Sequence, residues 1–335
     1  MLTSLFEPLW ESMAPLVGPL LTSFFSVLVG ALPFMVIAAF ASAALEVFVS
    51  RDAIARLVPK NGLLGVLLAP VLGLVIPMCE CGIVPVARRM VQKGVPASAA
   101  VTFMLANPIL NPLSLYSTYL AFPSYLKEMV LVRAGVGYLV AVAVGLLMHL
   151  GFRGGKGAEV LHPAYDPEVA VTAEGGHACD CGHDHGHQDH SRTFGQKFQA
   201  MLDHASSEFF DVTKYFIMGA GLAAISQALI DRPMLEALGG GRIASVLVMI
   251  AFTYVICICS EADAFVAATF ASTFTPGALL GFLVVGPMTD IKNTMMMLSS
   301  FRRPFVIFLN VVIIGLTALL AIGLNYWPLW PNWGG

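Results

Sequence analysis

The chain has 335 residues, of which 57% are hydrophobic and 12% charged, with a mean hydropathy of +0.79. These values exclude an ordinary soluble domain. The formal net charge of -3 is spread over loops with no basic block, which excludes a nucleic-acid partner.

Several apolar stretches are long enough to span hydrocarbon, so the sequence predicts an all-α polytopic membrane protein with the lipid bilayer as partner. Met1 to Pro19 carry Glu7 and Glu11 but no Lys or Arg. Interrupted by Pro8 and Pro15, this stretch lacks the basic region of a cleaved signal peptide and reads as an amphipathic lead-in. Apolar runs follow at about 20–49, 62–77 continuing past Cys81, 96–122 and 129–150, then at 209–230, 243–259, 277–298 and 304–327. That gives about eight membrane segments, divided into a first bundle (1–150) and a second (208–335). Between them, 151–207 is rich in Gly, Asp, Glu and His and has no helical apolar period, as expected of a solvent-exposed connector.

The two bundles echo one another. Leu32 to Phe40 resembles Lys214 to Leu222; each is followed by a polar turn, an apolar run reaching Cys-x-Cys, and a proline-led run with a polar interruption. The interruptions are Ala106 to Pro112 and Gly286 to Asn293. Proline inside a membrane helix frees carbonyls that must find partners or line a wet cavity, so matched breaks point to a midplane site. If all eight runs cross, Lys and Arg divide evenly between the faces. If the two Cys-x-Cys runs are re-entrant hairpins, only Lys127, Arg232 and Arg242 lie opposite the connector. The positive-inside rule then predicts a cytoplasmic connector, three crossings and one hairpin per bundle, and hence an inverted repeat with broken or re-entrant helices.

The six cysteines form three Cys-x-Cys pairs. Oxidised, each pair would close a strained ring, so free thiols or thiolate ligands are expected. Cys79-Glu80-Cys81 is flanked by Pro77, Gly82 and Pro85. In an intact helix residues i and i+2 point about 200° apart, so both thiols grip one ion only where these breakers open the backbone. Soft sulfur donors suit Zn(II), Cu(I) or a thiophilic metalloid, with Glu80 as a hard ligand or proton carrier. The second pair, Cys257 and Cys259, is followed by Ser260, Glu261, Ala262 and Asp263, without Pro or Gly. If that backbone stays helical, Cys257 faces Glu261 and Cys259 faces Asp263. Carboxylates in such a run line a polar cavity or relay protons, unless the segment simply meets water.

The third pair, Cys179 and Cys181, lies in the connector among His177, His183, His185, His187 and His190, a tract expected to bind Zn, Cu or Ni with little geometric selection. Asn107, Asn111, Asp290, Lys292 and Asn293 are the other polar groups expected at depth. They either coordinate an ion or cap carbonyls freed by Pro108, Pro112 and Pro287, and Lys292 is expected to pair with Asp290 or another acid. The methionines, including Met78, Met104, Met288 and Met295 to Met297, read first as packing. Trp327, Trp330 and Trp333 fit an interfacial belt.

At Cys79-Glu-Cys-Gly-Ile-Val-Pro85, at Asn107-Pro to Asn111-Pro, and at Cys259-Ser-Glu-Ala-Asp263 with Gly286-Pro-Met-Thr-Asp-Ile-Lys-Asn293, the chain resembles the predicted-permease family that includes ArsP-type organoarsenical exporters and a branch assigned to copper and zinc efflux. The resemblance covers both bundles. It implies an efflux permease of the bacterial inner (plasma) membrane, not an enzyme, with Cys79, Cys81, Cys257 and Cys259 as ligands of the transported species. The His-rich connector favours Zn or Cu cargo over methylated arsenicals, with protons exchanged at Glu80, Glu261 or Asp263. Cofactors are not required beyond the bound or transported metal ion, and a homo-oligomer is compatible with the sequence. No G-x-x-x-x-G-K-[ST] sequence is present for ATP-driven transport. The rivals are export of trivalent arsenicals, a membrane thiol oxidoreductase using the two membrane pairs, and a metal sensor that moves nothing.

Overall fold

The computed structural model describes residues 3–48, 62–75, 80–122, 128–151, 160–161, 194–229, 237 and 239–327. Among them are twelve helices and no strand: α1 (Thr3–Phe48), α2 (Gly62–Val75), α3 (Glu80–Gln92), α4 (Ala97–Leu110), α5 (Pro112–Ala121), α6 (Glu128–Gly151), α7 (Phe194–Leu229), α8 (Arg242–Ile256), α9 (Asp263–Thr269), α10 (Pro276–Met288), α11 (Ile291–Ser300) and α12 (Arg303–Asn325). Each half therefore runs long, short, short, short, short, long. Four segments are long and apolar enough to cross a membrane: Leu20–Ala44 in α1, Glu128–Gly151 in α6, Phe198–Gln227 in α7 and Arg303–Asn325 in α12. The 96–122 run is split into α4 and α5 and the 277–298 run into α10 and α11, while the two Cys-x-Cys runs hold the short helices α2 and α8, with α3 and α9 next in the chain.

Two expectations change here. Pro8 and Pro15 do not interrupt the lead-in, since α1 is helical from Thr3; a proline removes one hydrogen bond and bends a helix without having to end it. The connector is not wholly exposed. Val160 and Leu161 are buried, Leu161 forms an antiparallel bridge with Phe301, and Arg302 donates from its backbone N to Val160 O and from Nε to Leu161 O, both at 3.0 Å. The helix α7 begins at Phe194, inside the polar stretch.

Local chemistry explains the splits. Cys257 stops α8 by taking left-handed backbone angles (φ 53°, ψ 50°). Asn111 opens α5 by accepting the Leu113 N–H at 3.0 Å, with Pro112 next to it at the helix start. Asp290 opens α11 in the same way, by accepting the Asn293 N–H. Pro108 and Pro287, just upstream of these breaks, lack the donors that the Met104 and Leu283 carbonyls would have used.

Small residues set the packing. A Cβ on Gly73 of α2 would lie 2.9 Å from Asn107 Cα of α4, and Val66 of α2 and Thr102 of α4 both abut Gly145 of α6. The first arm of the Cys79 run thus lies parallel to α4. In the second half, Thr253 of α8 abuts Gly286 of α10 and Ile250 abuts Gly281, so α8 lies parallel to α10. The glycine has moved to the other helix of the pair, but the close approach is kept. Asn325 Nδ2 donates to Arg242 O at 3.0 Å and to Thr275 Oγ1 at 2.9 Å, which brings the start of α8 and the start of α10 to one end. Helices α4 and α10 form the centre and pack against one another. Every residue of α10 is buried, as expected of a helix that is apolar all round.

Candidate functional site

The split runs place their breaks against one another. Glu80, the first residue of α3, meets Lys292 in the first turn of α11: Lys292 Nζ donates to Glu80 Oε1 at 2.6 Å and lies 3.8 Å from Asp290 Oδ2. All three side chains are at most 2% exposed. Helix α11 is held there from behind, because a Cβ on Gly219 of α7 would lie 2.7 Å from Lys292 Cα. Glu80 Oε2, Asp290 Oδ2 and Asn293 Oδ1 are buried without a hydrogen-bond partner among the described residues.

The second Cys-x-Cys pair looks into the same cluster. Cys257 lies against the Asp290 carboxylate and the backbone N–H groups of Ile291 and Lys292, at the start of α11. Cys259 donates its thiol proton to Glu261 Oε2 at 2.7 Å and lies within electrostatic reach of Glu80 and Lys292. Both thiols are free. Expected as a helical face, this motif instead forms a turn in which the N–H groups of Ala262 and Asp263 both donate to Cys259 O at 2.9 Å. Cys257, in left-handed backbone, is therefore not stacked one helical turn from Glu261, whereas Cys259 and Asp263 are joined by an i, i+4 backbone bond.

A second buried ion pair lies on the far side of that turn. Asp263, the first residue of α9, receives a bidentate contact from Arg133 of α6, Nη1 to Oδ1 at 3.0 Å and Nη2 to Oδ2 at 2.7 Å. Arg133 Nη1 also donates to Thr118 Oγ1 at 2.6 Å, while the Ser260 carbonyl accepts from Ser114 Oγ at 2.9 Å. No motif marks these partners. The signal for Arg133 is that it is the only permanent charge within the 129–150 run, and a charge at such depth needs a counter-charge. Each half thus supplies an acid at the first residue of a helix, Glu80 of α3 and Asp263 of α9, and each acid is neutralised by a base from the other half.

The other predicted residues take different places. Asn107 is buried on α4 facing Gly73, away from the thiols' turn in sequence and packed between helices. Asn111 and Asp290 cap helix N–H groups rather than proline-freed carbonyls, because an amide or carboxylate oxygen accepts and cannot serve a second acceptor. Gly82 and Pro85 lie inside α3 and do not form the break expected of them; Pro85 instead deprives the Cys81 carbonyl of its helical donor. Met104, Met288, Met296 and Met297 are core residues. Cys79, Cys179, Cys181, His177, His183, His185, His187 and His190 lie outside the described residues, as does the Cys81 side chain. Among the described residues, no three His, Cys, Asp or Glu side chains are grouped as a metal site.

Comparison with known proteins agrees with this helical, multi-pass architecture. The profile of the ArsP_1 family, described as a predicted permease, matches residues 17–326. The UPF0718 protein YcgR of Bacillus subtilis (strain 168) is 40% identical over 291 residues, covering 87% of this chain and 92% of the relative. The "Putative two-component membrane permease complex subunit" of Streptococcus mutans serotype c (strain ATCC 700610 / UA159) is 33% identical over 287 residues, covering 86% and 88%. No solved structure matches the chain. With its buried charges at matched helix breaks and a family profile spanning both halves, this multi-pass membrane protein belongs to the ArsP_1 predicted permease family.

Proposed function

We propose that the chain is an inner-membrane permease that exports a soft transition-metal cation, Zn(II) or Cu(I), from the cytoplasm. The observation that carries this reading is the position of Cys257 beside the buried Asp290 carboxylate and of Cys259 beside the half-buried Glu261, next to the buried Glu80–Lys292 pair, where the two halves meet. Soft sulfur suits both ions, and carboxylate oxygens are further ligands for Zn(II). Cys79 and Cys81 flank Glu80 in sequence and would complete the set from the first half. A thiol loses its proton on binding metal, and Glu261 is placed to take the one from Cys259. In this scheme proton coupling runs through Glu261 and Glu80, while Asp263 stays locked to Arg133. The His and Cys residues of the connector would collect cargo on the cytoplasmic side.

An inverted repeat underlies the mechanism. Supporting it are the repeated helix order, the parallel placement of α2 beside α4 and of α8 beside α10, and the meeting of Arg242 and Thr275 at Asn325. On this reading each Cys-x-Cys run enters and returns on one face, and three crossings per half invert the second relative to the first. The hairpin turns and the broken crossings then share one depth, giving a midplane site among eight segments.

The test is metal flux in proteoliposomes. Replacing Cys257 and Cys259 by Ser should abolish Zn(II) or Cu(I) movement in a chain that remains folded; unchanged flux would remove the thiols from the path. A second reading, export of trivalent arsenicals, draws on Lys292 already neutralising Glu80, which leaves the thiols as the donors of the resting site. Protection of cells against methylarsenite but not against zinc or copper would establish it.

A further inference from the structure

The two buried ion pairs differ in a way that assigns them different work. Arg133 holds Asp263 with both arms of a planar fork and satisfies both carboxylate oxygens. Lys292 Nζ is 2.6 Å from Glu80 Oε1 and 3.8 Å from Asp290 Oδ2, a single-point contact and not a fork. That leaves Glu80 Oε2 and Asp290 Oδ2 buried and without a hydrogen-bond partner among the described residues, beside two thiols. A compact ammonium on a flexible four-carbon stem fills the place of a cation without coordinating as one.

We infer that Lys292 is a built-in counter-cation: its ammonium occupies the carboxylates while the site is empty, is displaced when cargo binds, and returns when cargo leaves. The inference rests on the metal-permease reading. Two carboxylates buried with no positive charge would be too costly to carry through a conformational change, so an empty carrier needs a cation to reset. Lys292 supplies one on a tether. Its backbone is fixed under Gly219, so displacement is a swing of the side chain and not a movement of α11. The swing itself makes and breaks no covalent bond, and the carboxylates have a positive charge beside them in both states.

Removing the tethered competitor should strengthen binding and obstruct the reset. The test uses the full chain with the seven histidines of 151–207 and with Cys179 and Cys181 replaced, so that Zn(II) reports on the membrane site. In detergent, Lys292→Met should bind Zn(II) about tenfold or more tightly than its parent, because competition by an internal occupant lowers apparent affinity. Added Zn(II) should also raise its melting temperature more than that of the parent. In proteoliposomes the variant should still exchange Zn(II) for Zn(II) while net efflux falls by about tenfold or more, and Lys292→Arg should restore net efflux. A structural role alone gives no gain in affinity, so equal or weaker Zn(II) binding by a folded Lys292→Met overturns the inference. A parent chain that neither binds nor moves Zn(II) overturns the metal reading itself, and this inference with it.

Discussion

Arg133 and Asp263 form a bidentate ion pair between the two halves of the chain, with side chains 0% and 1% exposed. Because both are removed from solvent, the pair behaves differently when one member is lost than when both are. Arg133→Met should cost about 3–5 kcal/mol by leaving a carboxylate uncompensated, whereas Arg133→Met with Asp263→Leu should recover most of that loss. Thermal melting in detergent checks the cycle. The double variant should retain metal flux, while Glu80→Gln with Lys292→Met should recover stability and lose net flux. Equal flux in the two double variants would erase the distinction drawn between the pairs.

Cys257 carries a side chain at φ 53°, where glycine sits without penalty. Cys257→Gly and Cys257→Ala both remove the thiol, but only the first relieves the backbone. The glycine variant should be the more stable of the two by about 1 kcal/mol, and both should lose transport. A glycine variant no more stable than the alanine one would mean that the left-handed turn is not present in the folded protein.

The all-helical, membrane-spanning character of the chain was legible because hydrophobic length acts locally. So was the depth of Lys292, since a lysine inside an apolar run has to find an acid. The turn at Cys257 was not legible. Nothing in Cys257 to Asp263 breaks a helix by propensity; the turn is held by tertiary partners, the Ser260 carbonyl being taken by Ser114 and Asp263 by Arg133, residues far away in sequence. Proline misled in the other direction: Pro85 sits inside α3, which is helical from Glu80 to Gln92. The glycine exchange between Gly73 facing Asn107 and Gly286 facing Thr253 is likewise invisible without knowing which helices run side by side.

On the proposed reading the connector divides into a structural part and a metal-collecting part. Leu161 is 1% exposed and clips the chain to Phe301 at the junction of α11 and α12. Leu161→Ala should cost about 2–5 kcal/mol, as for other buried leucines. Replacing His183, His185, His187 and His190 by Ala should leave the melting temperature unchanged and reduce the number of Zn(II) ions bound per chain. Differential scanning calorimetry and equilibrium dialysis separate the two effects, and a large loss of stability from the histidine set would contradict the division.

Gly219 and Gly221 offer a matched pair for testing whether the position of α11 governs transport. They lie two residues apart on α7, yet a Cβ on Gly221 meets nothing within 4 Å, while one on Gly219 would lie 2.7 Å from Lys292 Cα and 3.2 Å from its Cβ. Alanine in a helix gains up to about 1 kcal/mol over glycine, so Gly221→Ala should be neutral or mildly stabilising and transport normally. Gly219→Ala has the same intrinsic gain but meets backbone, which cannot rotate away as a side-chain end can. Overpacking of this kind costs about 1–3 kcal/mol and is relieved by moving α11 off α7. That movement carries Asp290 and Lys292 with it and lengthens the 2.6 Å contact to Glu80. Transport by Gly219→Ala should therefore fall by far more than its modest loss of stability explains. If Gly219→Ala and Gly221→Ala transport alike, the close seating of α11 is dispensable.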